Sequence, residues 1–145
     1  MTAITPAAFD PKPRQLGAVI DCVAGAAILA GAAVVIEASG DNFTVIPCDS
    51  DTAATLPFIG VALYSAAADG DHVAVASTGS VIMVQEGDGA AGIDAGDFLQ
   101  AGSASGSVVV ETNADLAILG VALTDCAAGG FTYVLVQPQL STKGA

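Results

Sequence analysis

The fold is indicated by a repeated apolar segment, Ile59-Gly60-Val61-Ala62-Leu63, which recurs sixty residues later as Leu119-Gly120-Val121-Ala122-Leu123. In both places a polar pair, an alanine-containing cluster, a glycine turn and an alternating apolar segment follow in the same order. Gly17-Ala18-Val19-Ile20 likewise recurs as Gly79-Ser80-Val81-Ile82. Because self-similarity in a fixed order is the signature of repeated structural units, the sequence predicts two similar units in tandem.

The matches divide the chain into four parts. Residues 17–78 are predicted to form the first β unit, and residues 79–137 the second. An extended N-terminal arm is predicted before them at residues 1–16, and a short C-terminal tail after them at residues 138–145. The offsets between matched segments vary only from 60 to 65 residues, as insertions in loops would make them.

Each unit contains five short runs of apolar and β-branched residues, bounded by glycine, aspartate, asparagine or serine. Turns such as Asp69-Gly70-Asp71 supply the positive φ angle that a hairpin needs. No apolar stripe of helical period and useful length interrupts the pattern, and the glycine-containing stretch 22–33 is predicted as a compact loop. The fold class is therefore all-β, a compact barrel or sandwich of short strands. Strands are predicted at roughly 18–23, 33–38, 43–47, 58–64, 72–77, 80–85, 97–100, 107–111, 117–123 and 131–137.

Charge and the length of apolar runs each exclude one class of partner. The chain has 145 residues with 15 acidic and 3 basic side chains, which gives a net charge of -12. The basic residues are Lys12, Arg14 and Lys143, so no basic patch can form on the body to neutralise phosphates. The longest uncharged apolar run, residues 22–36, is shorter than the about 20 residues of a spanning helix. Neither a nucleic acid nor a membrane is expected as a partner.

The sequence offers no set of side chains for nucleophilic catalysis. His72 is the only histidine, and no serine stands in a nucleophile-elbow motif that it could activate. The cysteines Cys22, Cys48 and Cys126 are odd in number and lack CxxC spacing, so they are predicted to be small buried side chains. We therefore expect no catalytic residues and no enzymatic activity.

Two patterns imitate ligand sites and are interpreted as loops. Residues 87–92 match GxGxxG, but another glycine and two acids follow where a dinucleotide site needs a helix. Asp49-Ser50-Asp51 and Asp69-Gly70-Asp71 stop after two acids, whereas a calcium loop continues to a bidentate glutamate. No cofactor and no metal ligands are expected, and the sequence leaves open whether the acidic turns bind cations.

The N-terminal arm is the candidate partner-binding segment. Its prolines lack backbone donors and favour extended geometry, which argues against a central strand. An arm that orders on a partner surface would offer edge hydrogen bonds and two cations for acids on that partner; the alternative is a tail without a partner. The candidate docking residues are Thr5, Pro6, Phe9, Pro11, Lys12, Pro13 and Arg14.

One known family shows the same succession of a glycine-led apolar strand, an alanine-rich turn and a second strand. The segments are Gly60-Val61-Ala62-Leu63, Ala66-Ala67-Ala68-Asp69-Gly70 and Val73-Ala74-Val75-Ala76-Ser77-Thr78-Gly79-Ser80. Their order, together with the proline-containing arm, resembles the lambda-type capsid decoration (head cement) proteins of tailed phages. The resemblance covers about residues 17–137 at the level of pattern.

The resemblance implies a structural virion protein on the outer surface of a phage capsid, where it stabilises the head. It also implies the major capsid protein as partner, docking through the arm, and a homo-oligomer, with a trimer favoured. Two tandem units and a longer chain depart from the lambda-type pattern, which leaves open a monomer that mimics a dimer internally.

The alternative function is a β-barrel module that binds glycans or cations, as in a surface or fibre domain. Sugar-binding sites usually present aromatic faces. This chain has no tryptophan, and Tyr64 and Tyr133 stand at strand positions. A small enzyme would need a catalytic group that the sequence does not present.

Overall fold

The structure, a computed structural model, describes residues 8–37, 43–50, 56–87, 91–112 and 117–140. In these residues the chain forms ten strands and no helix, which confirms the all-β prediction. No helix among them is long and apolar enough to cross a membrane. The strands are β1 Val19–Ala24, β2 Ala33–Ile36, β3 Thr44–Pro47, β4 Phe58–Ala62, β5 His72–Ala76, β6 Val81–Gln85, β7 Phe98–Ala101, β8 Val108–Val110, β9 Ala117–Ala122 and β10 Phe131–Leu140.

The first five strands close into a barrel in the order β1-β3-β2-β4-β5, with β5 paired to β1. The last five form a sheet in the order β6-β10-β9-β7-β8. A parallel bridge between Glu86 and Val108 joins the end of β6 to β8, as β1 is joined in parallel to β3. Strand order therefore repeats between the two halves, while the division of the chain into units at residues 17–78 and 79–137 stays a prediction.

The turns, like the strands, repeat between the two halves of the molecule. Ile28 bridges Ala66 in the first half, and Ile93 bridges Cys126 in the second. The stretch between β1 and β2 is a turn-rich loop, as the sequence predicts, and Gly31 takes a φ of +86° within it. A glycine is favoured there because residues with a side chain rarely adopt that backbone conformation.

Apolar side chains form two clusters. One is contributed by the first five strands and their turns, and includes Cys22, Val34 and Val73. The other combines residues from both sheets, such as Phe58 of β4 with Leu119 of β9. Because β4 lies against β9 and β10, the barrel and the second sheet share a continuous apolar contact, which stabilises both by removing surface from water.

β10 is longer than the prediction of 131–137 because it continues through Pro138. Its pairing with β9 shifts register between Val136 and Gln139, around the proline. A proline cannot donate to the ladder, and a bulge accommodates it. Gln139 and Leu140 then pair again with β9.

We predict that Gly60→Ala and Gly120→Ala each lower the free energy of unfolding by about 3 kcal/mol or more. A Cβ at Gly60 would overlap the carbonyl oxygen of Ala76, and one at Gly120 would overlap that of Leu135. Backbone of a neighbouring strand cannot move aside without breaking the sheet. Denaturant unfolding of each variant measures the loss.

Gly70→Ala is the matched control, because nothing lies within 4 Å of its Cβ position and only a φ of +93° opposes it. We expect that substitution to cost about 1–2 kcal/mol. Equal losses at Gly60 and Gly70 would contradict the close approach of strands at Gly60.

Candidate interaction surface

The described part of the N-terminal arm lies along the edge of β6. Arg14 N donates to Val81 O at 2.8 Å, and Val81 N donates back to Gln15 O at 2.9 Å. Further along, Met83 N donates to Pro11 O at 2.9 Å. The arm is thus extended and antiparallel to β6, in the geometry that the sequence predicts for docking on a strand edge, but on its own chain. Thr5 and Pro6 lie outside the described residues.

Phe9 anchors the arm between the two halves of the molecule. Its ring lies against Gly31, where an added Cβ would overlap it. It also meets Phe131 at the start of β10, with ring centroids 4.8 Å apart at 64°, an edge-to-face geometry that aromatic pairs prefer. The backbone N of Phe9 donates to Ala30 O at 3.2 Å. The ring therefore connects the β1–β2 loop of the barrel with the second sheet.

The other described residues of the arm differ in how far they are exposed. Pro11 is buried, whereas Lys12, Pro13 and Arg14 are exposed. Lys12 takes a φ of +46°, and its backbone N donates to Asp10 Oδ1 at 3.1 Å. The Arg14 guanidinium lies 5.5 Å from the ring centroid of Tyr133, a cation–π distance. Both cations are therefore presented on the outside of a docked arm.

Apolar surface flanks the arm on both sides. A groove of about 440 Å³ lies beside Phe9 and Pro11, with Tyr64 on its far wall. A second groove, of about 390 Å³, lies between Arg14 and Leu123. Tyr64 is 46% exposed and Leu123 is 44% exposed. We call Phe9–Arg14 together with these two side chains the arm surface, and it combines two cations with exposed apolar groups.

His72 and the three cysteines lie in environments that do not favour catalysis. His72 Nδ1 lies 3.6 Å from Asp21 Oδ2, and both side chains are more than 70% exposed, so no pocket holds the pair. Burial raises the pKa of the Cys48 thiol to about 12 and, with nearby carboxylates, raises the pKa of Cys22 and Cys126. Cys48 donates to Ser107 O at 3.1 Å. Raised pKa values suppress the thiolate form, which is the reactive one.

The aspartates of the acidic turns accept hydrogen bonds from backbone N–H groups of the same turns. Asp71 Oδ2 accepts from Ala68 N at 3.1 Å across the turn that contains Gly70. Asp97 Oδ2 accepts from Asp94 N at 2.9 Å in the same manner. Throughout the part of the chain that the structure describes, no three His, Cys, Asp or Glu side chains converge as metal ligands would. Asp51 of the predicted turn lies outside that part.

The glycine-rich match at 87–92 does not begin a helix. Residues 88–90 lie outside the described residues. Beyond them, Ile93 N donates to Cys126 O at 2.9 Å, and a turn leads into β7. Without a helix N-terminus at this position, the loop lacks the group that would hold a pyrophosphate in a dinucleotide site.

Comparison with known proteins identifies the fold and its family. The sequence profile of the phage cement proteins matches residues 14–137. The chain belongs to the phage cement protein family. The crystal structure of the N base of head fiber gp8.5 from bacteriophage phi29 is similar to it, with a TM-score of 0.58 and 17% identity over 83% of this chain and 93% of that chain. No curated protein matches the sequence.

This cement protein is accordingly a structural protein of the virion that associates with the capsid and stabilises the head. The prediction made from the repeated strands and turns is confirmed in family and in function. The likeness to the phi29 head fiber base, at its low identity, adds that the fold is shared.

We predict that Phe9→Ala lowers the free energy of unfolding of the cement protein by about 2 kcal/mol, because a half-buried ring is lost between Gly31 and Phe131. It should also release the arm. Trypsin can report the release at Arg14, since the only other basic residue of the arm, Lys12, precedes a proline that blocks cleavage. Cleavage after Arg14 should be slow in the wild type and fast in the variant.

Phe43→Ala is the control, because Phe43 is 63% exposed and lies outside the arm. We expect it to change stability by less than about 0.5 kcal/mol and to leave cleavage at Arg14 slow. Equal cleavage rates in the wild type and in Phe9→Ala would contradict the anchoring role of Phe9.

The Cys48 thiol makes stability depend on alkaline pH. Its pKa is about 12 in the folded protein, against an ordinary value of 9.0. The stabilisation is therefore complete below pH 9 and is lost as pH rises towards 12, because the unfolded chain ionises first. Over that window the free energy of unfolding should fall by about 1.4 kcal/mol per pH unit more steeply in the wild type than in Cys48→Ala. Parallel pH profiles of the two proteins, measured by urea unfolding, would contradict the burial of this thiol.

Proposed function

We propose that this cement protein binds the outer surface of the capsid through the arm surface and acts there without catalysis. The observation that carries the proposal is the placement of charge. Lys12 and Arg14 are the only basic residues before Lys143 in a chain of net charge -12, and both are exposed on the docked arm. An acidic protein meets an acidic region of a partner most favourably at these two side chains.

The arm contributes more than charge. Exposed apolar groups on both sides of it, at Tyr64 and Leu123, supply surface that a partner can remove from water. Because Phe9 and Pro11 fix the arm on β6, the cations are held in place before binding, which lowers the conformational entropy lost in the complex. The partner that we propose is the major capsid protein.

Four further parts of the proposal rest on composition, on the surroundings of single side chains or on the family resemblance. The scarcity of basic residues supports the absence of a nucleic-acid partner, and no apolar run in the sequence is long enough for a membrane helix. The raised thiol pKa values and the exposed His72–Asp21 pair support a non-enzymatic protein. A homo-oligomer, with a trimer favoured, is proposed from the resemblance to lambda-type decoration proteins.

We predict that Arg14→Ala weakens binding to heads assembled without this protein by about fivefold, and that Lys12→Ala does so to a similar degree. The measurement is co-sedimentation of purified protein with such heads over a range of salt concentrations. Both variants should show a weaker dependence on salt than the wild type, because each removes one screened attraction.

Lys143→Ala is the matched control, since it removes the same charge at the other end of the chain. It should bind the heads as the wild type does. If all three variants bind equally, the arm surface is not the contact. Failure of the wild type to bind or to stabilise these heads would overturn the proposed function itself.

A further inference from the structure

Directly paired residues of the second sheet form a row of large apolar side chains on its outer face. In the strand order β6-β10-β9-β7, this apolar row consists of Val81, Leu135, Val121 and Phe98. Successive side chains of a strand point to opposite faces of a sheet, and adjacent residues of these strands, such as Ile82, Val134 and Ala122, are buried in the core. The apolar row therefore faces outwards, and each of its four residues is only partly buried.

The barrel contains the same row in the same register, which we call the barrel row. In the strand order β1-β5-β4-β2, it consists of Val19, Ala76, Val61 and Ala33. The last three of these residues are fully buried. They belong to an apolar cluster that also contains Val134 and Leu99 from the opposite, inner face of the second sheet. In the first half of the molecule, this row is thus a packing surface, and the second sheet covers it.

The two rows differ in side-chain size and in burial. Leu135 stands where the barrel row has Ala76, and Phe98 stands where it has Ala33. The larger residues of the apolar row keep part of their surface exposed, whereas the two alanines keep none. Contiguous exposed apolar surface marks a site of contact with another molecule. The second sheet thus carries a packing surface at the position where the barrel has one, and this surface is still partly exposed.

The exposed parts of the two outer faces also differ in polarity. In the barrel, Asp21 and His72 lie on this face, with the His72 Nδ1 atom 3.6 Å from Asp21 Oδ2. At the register position of Asp21 the second sheet has Met83, and at that of His72 it has Phe131. An antiparallel sheet with one face in water ordinarily carries polar side chains on that face. The barrel follows this rule, and the second sheet departs from it.

The arm borders the outer face of the second sheet and adds a cation to it. The ring of Phe9 meets that of Phe131, and the Arg14 guanidinium lies 5.5 Å from the ring centroid of Tyr133. The groove of about 390 Å³ beside Arg14 includes Val81 of the apolar row among its walls. The apolar row is therefore continuous with the arm surface.

We propose that the outer face of the second sheet, made of the apolar row with Met83, Tyr133 and Phe131, packs against the capsid shell protein. The shell protein would supply apolar side chains to the row and a carboxylate at its border, where Arg14 can pair with it. An apolar centre with a polar rim is the usual composition of such a contact. The inference rests on the proposed function and extends it, because it places the main contact on the second sheet and leaves the exposed face of the barrel outside it.

A second copy of this chain fits the face less well than the shell protein does. The surface that covers the barrel row is the inner face of the second sheet, which in every copy is already buried against its own barrel. The exposed face of the barrel carries Asp21, and a carboxylate loses its hydration when it packs against apolar side chains. A second copy would also bring another net charge of -12 to the contact, which is unfavourable.

Two variants test the face without altering the arm. Phe98→Ala and Leu135→Ala give the apolar row the residues that the barrel row has at the same positions. We expect each to weaken binding to heads assembled without this protein by about fivefold or more in co-sedimentation, because each removes apolar surface from the contact. Phe43→Ala is the matched control, since it removes an exposed ring from the first half, and it should bind as the wild type does. Thermal unfolding of the free variants verifies the fold.

A second measurement uses the wild type alone and so does not depend on the folding of a variant. Hydroxyl radicals oxidise exposed methionine and aromatic side chains, and mass spectrometry locates the products. In the free protein, Met83, Phe98 and Tyr133 should be oxidised. On the heads, oxidation of these three side chains should be lost, while Phe43 should be oxidised equally in both states.

Each contrary result can be told apart from the others. If the wild type binds heads but both variants bind equally well and oxidation is unchanged, the inference is wrong and the proposed function stands. If the wild type does not bind heads, the proposed function fails and the inference fails with it. If Met83 and Phe98 resist oxidation in the free protein, the face is covered within the chain, which overturns the inference alone. If their oxidation in the free protein falls as its concentration rises, the occupant is a second copy rather than the shell protein.

Discussion

In each half of the molecule, one parallel contact closes the ring of strands, and in the second half that contact lies beyond the end of β6. β3 pairs with β1 at Val23 and Ala24, whereas β8 meets the chain after β6, at Glu86. Parallel neighbours cannot be joined by a tight hairpin, and β2 separates β1 from β3 in the chain as β7 separates β6 from β8. Among the described residues, β8 therefore leaves the first part of β6 unpaired on that side.

The position of the N-terminal arm follows from this incomplete pairing of β6. In the second half, the N-terminal arm supplies the missing pairing, and that requirement fixes where Pro11 and Gln15 lie. Once the arm runs along β6, Phe9 falls between the β1–β2 loop and β10. A contact that begins as edge pairing thus also holds the barrel to the second sheet. Pro11 faces inward and is buried, whereas the cations of the arm are exposed.

Local patterns in the sequence were sufficient for most of the fold. The ten runs of apolar residues became ten strands, because alternation and turn glycines are properties of a few consecutive residues. Gly60 and Gly120 stood out through the repeat, and both permit a close approach to the carbonyl of a neighbouring strand. The bulge at Pro138 was missed because it depends on the pairing of β10 with β9, whose residues are distant in sequence.

The position of the arm on β6 could not be predicted from the same patterns. Prolines indicated an extended segment, but no local signal links Phe9 to Phe131, which lies at the far end of the chain. The match between Val19-Ile20 and Val81-Ile82 was visible in the sequence. What it could not indicate was that the arm lies on the second copy, at Val81 and Met83, since this depends on the spatial path of residues before the repeat begins.

An open strand edge is ordinarily a hazard, because it can pair with the same edge of another copy. In this protein the arm covers the edge of β6 at Val81 and Met83. Charge also opposes pairing between copies, because fifteen acidic side chains against three basic ones make copies repel one another. Salt screens this repulsion over about 8–10 Å, whereas the arm covers the edge by direct contact. The acidity that first excluded nucleic acid therefore has a second physical effect: together with the arm, it opposes the pairing of strand edges between copies.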